Sequence, residues 1–320
     1  MRKKFVILIN LLSIIVLLLI AEAILYKNAN QIYQTRFKTE AKLPVSYSTK
    51  PIYSVDINNY FSGIPDDFSG RKPDGLAYKT TPITVFGCSY AHGQYLKYNQ
   101  TFSYKLAELL KRPVYNRAVP AKGLAKMYYQ SENDAFYKDV PKSDLVIYIM
   151  LDDHYRRMKS SNLDMTEIYK HRTYKVKNGE LILNNETNPI LCFIRSTYIY
   201  KAISCKLVEH YVDNPKNAEK LSDEAALYFI KTRENLEKRW GTKVDFVVIY
   251  YNHWLRYGDL LRTKLESNGF KVINMNQITR ENLLTEKYFS PVTLHPTEAV
   301  WDLITPKIVD FLELNKQTHD

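Results

Sequence analysis

The residues with the clearest chemical potential lie far apart in the chain. Gly87-Cys88-Ser89-Tyr90-Ala91-His92-Gly93 follows directly on the apolar run Ile83 to Phe86, and Leu294-His295-Pro296-Thr297 comes near the other end. A serine just past the C-terminal end of a strand, flanked by glycines that permit a tight turn, sits where α/β folds present a nucleophile. Its hydroxyl needs a base to take the proton and donors to hold an oxyanion. Ser89 and His295 are therefore the nucleophile and base candidates. Cys88 is a rival nucleophile, because a thiolate attacks more readily. Neighbours along a backbone do not easily face one site, however, so Cys88 is otherwise expected to pack beneath the turn. His92 is a candidate local base or a contact to substrate.

A second polar cluster, Asp152-Asp153-His154 with Arg156, ends another apolar run and is expected at the rim of the same site. Asp152, Asp153 and His154 could ligate a metal, but no second ligand cluster of convincing spacing accompanies them. The reading therefore includes no metal and no cofactor.

Strands and helices must bring these groups together. The sequence predicts a first strand at 81–86, a helix at 101–111, a short second strand at 113–119 and a helix at 124–137. Residues 144–150 form a nearly continuous apolar strand, as suits a parallel strand covered on both faces. A strand at 244–251, a helix at 258–267 stopped by Gly269, and a strand at 270–275 repeat the pattern. A last amphipathic helix, 295–314, carries Val300, Ile304, Ile308, Val309 and Leu312. Between 155 and 240 the alternation lapses. That stretch holds an expected hairpin about Lys177-Asn178-Gly179 and a charged helix at 218–240, which we read as an insertion or cap. The whole pattern argues for a three-layer α/β sandwich with a mostly parallel sheet.

Arg2-Lys3-Lys4 precedes an apolar stretch from Phe5 to Ile20 that continues to Leu25. Basic residues on the short side keep that end cytoplasmic and send the remainder outward. A retained single-pass anchor and a cleaved signal, with Ala21-Glu22-Ala23 as the cleavage site, are both open. Residues 1–25 are thus an anchor or signal, 26–75 a stalk and lead-in, and 76–320 the α/β domain with its insertion at about 155–240. Three cysteines, Cys88, Cys192 and Cys205, do not make a disulfide framework; Cys192 and Cys205 could pair or stay reduced. The formal charge of +11 includes Arg2, Lys3, Lys4 and Glu22, so +9 remains on the exported part. Lysines scattered among glutamates, with no recognition motif, argue against nucleic acid. An anionic membrane surface or acidic glycan would suit the charge, as would a plain solvated surface.

Gly87-Cys88-Ser89 with Gly93, followed by Asn99-Gln100-Thr101-Phe102, resembles the first block of the SGNH/GDSL hydrolase superfamily. It looks especially like membrane-anchored members related to polysaccharide O-acetyltransferases and esterases. The resemblance implies a flavodoxin-like sheet and makes Ser89 the nucleophile, with Cys88 in the place of the usual Asp. Asn116-Arg117-Ala118-Val119 loosely matches the second block, whose glycine donates an oxyanion N–H; Ala118 would supply that N–H. Met150-Leu151-Asp152-Asp153 falls on the third block, where the family has an asparagine donor. An ionised Asp152 cannot donate, so either Arg156 or His154 replaces it as donor or the loop uses Asp152 structurally. His295-Pro296 resembles the final block and makes His295 the general base. The family's acid just before this histidine is absent, since Val292 and Thr293 stand there.

The resulting expectation is a serine esterase acting, through an acyl-serine, on O-acetyl or other acyl esters of an extracytoplasmic glycan or envelope polymer. Two alternatives stand beside it: an O-acyltransferase using the same site, and an inactive envelope-assembly or glycan-binding protein on a degraded scaffold. The expected location is the cell membrane, or the exterior if the N-terminus is cleaved.

Overall fold

The computed structural model describes residues 16–25, 79–120, 122–151, 153–159, 173–184, 197–250, 257–279, 283, 285, 287–290 and 295–317. Five strands form one parallel sheet: β1 (Ile83–Gly87), β2 (Val114–Asn116), β3 (Leu145–Met150), β6 (Asp245–Tyr250) and β7 (Lys271–Asn274), in the order β2-β1-β3-β6-β7. A separate antiparallel hairpin joins β4 (Tyr174–Lys177) to β5 (Glu180–Leu183) through Asn178-Gly179. Every residue of β1 and β3 is buried. Both faces of these strands are covered, so their sequences are continuous apolar runs instead of alternating ones.

The side chains divide by parity. Phe86, Val146, Tyr148 and Met150 enter one core with Leu124, Met127, Phe229 and Leu236. Val85, Ile147 and Ile149 enter the other with Phe102, Leu106, Trp301, Ile304 and Ile308. The first face is covered by α3 (Leu124–Glu132), α7 (Ala218–Trp240) and α8 (Gly258–Glu266), the second by α2 (Phe102–Leu110), the short α9 (Met275–Thr279) and α10 (Glu298–Gln317). This is a three-layer α/β arrangement with an all-parallel sheet.

Several expectations need adjustment. The helix expected at 124–137 is broken at Asn133, whose side chain accepts from Ala135 N–H at 2.9 Å and so caps α4 (Asp134–Asp139). An unforeseen helix, α6 (Tyr198–Asp213), starts where the Thr197 hydroxyl accepts from Tyr200 N–H. The helix α7, assigned from sequence to the insertion, buries Leu221, Ala225, Phe229 and Leu236 against the sheet. The last helix starts at Glu298, so His295 lies in the loop before it.

Residues 16–25 are helical, with Val16, Leu17, Leu18, Leu19, Ile20 and Ile24 exposed. Glu22 Oε2 accepts from Ile199 N–H at 2.8 Å, in the first turn of α6. Among the described residues no helix is long and apolar enough to cross a membrane. Residues 1–15, the expected stalk at 26–75 and Cys192 lie outside the described residues.

The strand order creates the position that matters. From β1 the chain crosses outward to β2, then returns to β3 on the other side of β1. Connections leaving adjacent strands in opposite directions open a crevice at the carboxyl ends, where open α/β sheets bind ligands. Gly87 is level with Ile149 in that register.

Candidate active site

Ser89 begins α1 (Ser89–His92), a single turn set directly on the end of β1. The turn is possible because of two glycines. Gly87 has φ +147°, and a Cβ there would lie 2.7 Å from Ala91 Cβ and 3.1 Å from Ile149 O. Gly93 closes the turn in the left-handed region at φ +72°, donating its N–H to Tyr90 O at 3.1 Å, while Gln94 N–H donates to Ser89 O at 3.0 Å. The N–H groups of a first helical turn have no partner within the helix. Ser89 is 8% exposed. Cys88 is wholly buried in the core beneath the turn with Ala91 and Phe102, and His92, at the end of α1, is also buried.

The segment after β2 runs alongside. Arg117 N–H donates to Val85 O at 2.7 Å and Val119 N–H to Gly87 O at 3.1 Å, which lays Ala118 next to the end of β1. Asn116 locks this arrangement from within the core, because its Nδ2 donates to Ala91 O at 2.8 Å and its Oδ1 accepts from Ala118 N–H at 3.1 Å. That second bond corrects the expected oxyanion role of Ala118. Its N–H is already engaged, and the residue is wholly buried. Arg117 is buried too, its guanidinium 5.8 Å from the Phe136 ring, and desolvation lowers its pKa.

His295 arrives from the other end of the chain. Its loop is pinned by an antiparallel bridge between Phe289 and Pro296, with Ser290 N–H donating to His295 O at 2.9 Å and Thr297 N–H to Tyr288 O at 3.0 Å. The half-buried imidazole packs between two tyrosines, 5.2 Å from the Tyr90 ring and 5.0 Å from the Tyr95 ring. Tyr90 also meets Phe289 edge-on at 6.1 Å. Because Tyr90 follows Ser89 directly, His295 lies at the same end of β1 as the nucleophile candidate. Among the described residues Ser89 forms no hydrogen bond to His295; such contacts often tighten only when substrate binds. The base of α10 is tied down as well. Glu298 accepts from Gln100 Nε2 at 2.8 Å and pairs with Lys105 at 3.1 Å, which also pairs with Asp302 at 2.5 Å.

The polar cluster after β3 is a correction. Asp152 lies outside the described residues, as do Val292 and Thr293. His154, on α5 (Asp153–Lys159), turns under the sheet and is wholly buried. Its Nδ1 is 2.9 Å from Tyr148 Oη and 3.4 Å from Leu151 N, so it accepts from the amide and its proton belongs on Nε2. Burial, with Arg157 nearby, holds its pKa well below the usual histidine range. His154 is thus neutral packing and not a rim donor. Asp153 pairs with Arg156 and, at 2.5 Å, with Arg157, whose Nη1 donates to Lys122 O at 2.7 Å. These charges fasten α5 to the segment before α3. Among the described residues no group of three His, Cys, Asp or Glu side chains converges as a metal site would require.

Sequence reasoning missed Asn116 as a clamp and Tyr90 and Tyr95 as the walls of the histidine. Asn116 had a local signal in its place at the end of a strand. The tyrosines had none, being two of 26 in the chain. An open pocket of about 400 Å³ lined by Arg112, Asp144, Lys243, Asp245 and Glu313 lies at the opposite, amino end of β3 and β6.

No family model and no curated protein matches this chain. Similar solved structures include a member of the lipolytic G-D-S-L family from Veillonella parvula, with 13% identity, TM-score 0.42, and 72% of this chain and 97% of that chain covered. An esterase from a Pseudoalteromonas species aligns at 11% identity and TM-score 0.39, over 75% of this chain and 100% of its own. An acetyl xylan esterase from Butyrivibrio proteoclasticus aligns at 10% identity and TM-score 0.42, over 74% of this chain and 65% of its own. These are likenesses of backbone course, and the functional reading is built on the chain's own residues.

Proposed function

We propose that this protein is a serine esterase acting on acyl esters, O-acetyl esters foremost, of an extracytoplasmic glycan or envelope polymer. One observation carries the proposal. Ser89 opens a helical turn at the switch point of the sheet, and His295 packs on the residue beside it. In this reading His295 takes the Ser89 proton as Oγ attacks the ester carbonyl, and the first-turn amides of α1 receive the oxyanion. The imidazolium then protonates the departing alcohol, leaving an acyl-serine. Water deprotonated by His295 releases the acid and restores Ser89. A sugar hydroxyl in place of that water would make the same site an O-acyltransferase. Export and anchoring are supported by Arg2-Lys3-Lys4 ahead of the apolar run and by the exposed apolar side chains of residues 16–25.

The test is acetyl-ester hydrolysis by the full-length chain in detergent, beside Ser89→Ala, His295→Ala and Cys88→Ala. Loss of turnover in the first two with retention in the third is the expected result. Turnover equal to the Ser89→Ala background would refute esterase action. It would favour the second reading, a glycan-binding scaffold, which draws support from the engaged Ala118 N–H.

A further inference from the structure

Tyr95 is the single exposed aromatic residue among those whose side chains are described, at 40% exposure; every other described Phe, Trp or Tyr is buried or half-buried. It also has an unusual backbone. Leu96 N–H donates to Gly93 O at 3.1 Å across Gln94 and Tyr95, and Tyr95 has φ +69°. Those are the signs of a type II turn with a tyrosine in the position that favours Gly or Asn. A bulky side chain held at positive φ costs of the order of 1–2 kcal/mol. Such strain persists where the surroundings over-determine it and clusters at functional sites. Here the strained residue is set edge-on to His295, with ring centroids 5.0 Å apart and planes at 76°.

We propose that Tyr95 is the platform on which a pyranose ring of the substrate stacks, placing that sugar's ester over Ser89 and His295. The inference rests on the esterase reading and narrows its substrate to an acylated sugar. The chemistry is that of the two surfaces. A pyranose presents a face of axial C–H bonds with partial positive charge, and an aromatic ring presents a negative π-face. The Tyr95 ring meets His295 edge-on, and the residue keeps 40% of its surface exposed beside that histidine. A small acyl group alone would gain nothing from such a ring. A sugar carrying the acyl group would gain both stacking and orientation.

The experiment compares full-length protein with Tyr95→Ala and Tyr95→Phe on two esters: a partially O-acetylated cello-oligosaccharide and ethyl acetate. The readout is the ratio of kcat/KM on the oligosaccharide to that on ethyl acetate. Tyr95→Ala is expected to lower this ratio about fivefold to tenfold, mainly through KM, whereas Tyr95→Phe keeps it. An equal loss on both esters overturns the platform, because it means that Tyr95 only supports His295. If wild type turns over neither ester, the esterase reading fails on its own account. The platform is then judged by titrating Ser89→Ala protein with the deacetylated oligosaccharide. Binding weakened severalfold by adding Tyr95→Ala sustains it, and unchanged or absent binding overturns it.

Discussion

Replacing Gly87 by alanine tests whether the nucleophile turn depends on one close backbone approach. Two costs add at this position. Placing a side chain at φ +147° forces a conformation that L-residues rarely adopt, at about 1–2 kcal/mol. The new Cβ would also sit 2.7 Å from Ala91 Cβ and 3.1 Å from Ile149 O. The second contact is to the backbone of β3 and has no rotamer through which to relax, and overpacking of this kind costs about 1–3 kcal/mol. The sum is a destabilisation of about 2–5 kcal/mol. Gly241 supplies the control, since its φ is +62° but a Cβ there would meet nothing within 4 Å. Gly241→Ala is therefore expected to cost about 1–2 kcal/mol, the conformational part alone. Denaturant unfolding of both variants separates the terms, and fluorophosphonate labelling of Ser89 under native conditions reports the geometry of the turn. Equal destabilisation by the two substitutions would refute the reasoning, because it would mean that α1 slides away from β3 at no cost.

Three further outcomes follow from the same geometry. His154 is held neutral in the fold, while the unfolded imidazole protonates with a pKa of about 6.5, so the unfolded state gains protons first as pH falls. Stability should therefore decline below about pH 6.5, by up to about 1.4 kcal/mol per pH unit, and His154→Gln should flatten that slope; parallel pH profiles would argue against it. Asn116→Ala removes both bonds to Ala91 O and Ala118 N–H. It should cost about 1–3 kcal/mol and slow Ser89 labelling, and an unchanged melting temperature would show that the clamp is idle. Glu298→Ala cuts the ties to Gln100 and Lys105. It should lower ester turnover severalfold while stability changes by less than about 1 kcal/mol; turnover equal to wild type would mean that the histidine loop is held by its own bridge.

Much of this architecture is legible in sequence because it is local. Apolar runs such as Leu145–Met150 announce strands buried on both faces, and Asn178-Gly179 announces a two-residue hairpin. The cap at Asn133 was also visible in principle, but a continuous helical pattern on both sides obscured it. The cluster after β3 shows where such reading stops. Asp153-His154-x-Arg156 looks the same whether it turns outward to a crevice or under the sheet. The choice was made by Tyr148, which points to the face opposite Ile147 and Ile149 and offers its hydroxyl to His154.

By itself the sequence determined the turn that holds Ser89, because Gly87 and Gly93 are the residues that its backbone angles require. It also determined the α/β class, through the periodicity of its apolar runs. Only the tertiary structure decided which distant groups meet that turn. The register of β1 against β3 and the bridge between Phe289 and Pro296 bring His295 to the Tyr90 ring. The rotamer of Asn116 engages the Ala118 amide, and packing leaves Tyr95, alone among the tyrosines whose side chains are described, exposed beside the histidine. Local backbone preference is encoded within a few residues, whereas direction, exposure and partnership depend on chain segments that become neighbours only when the two cores close.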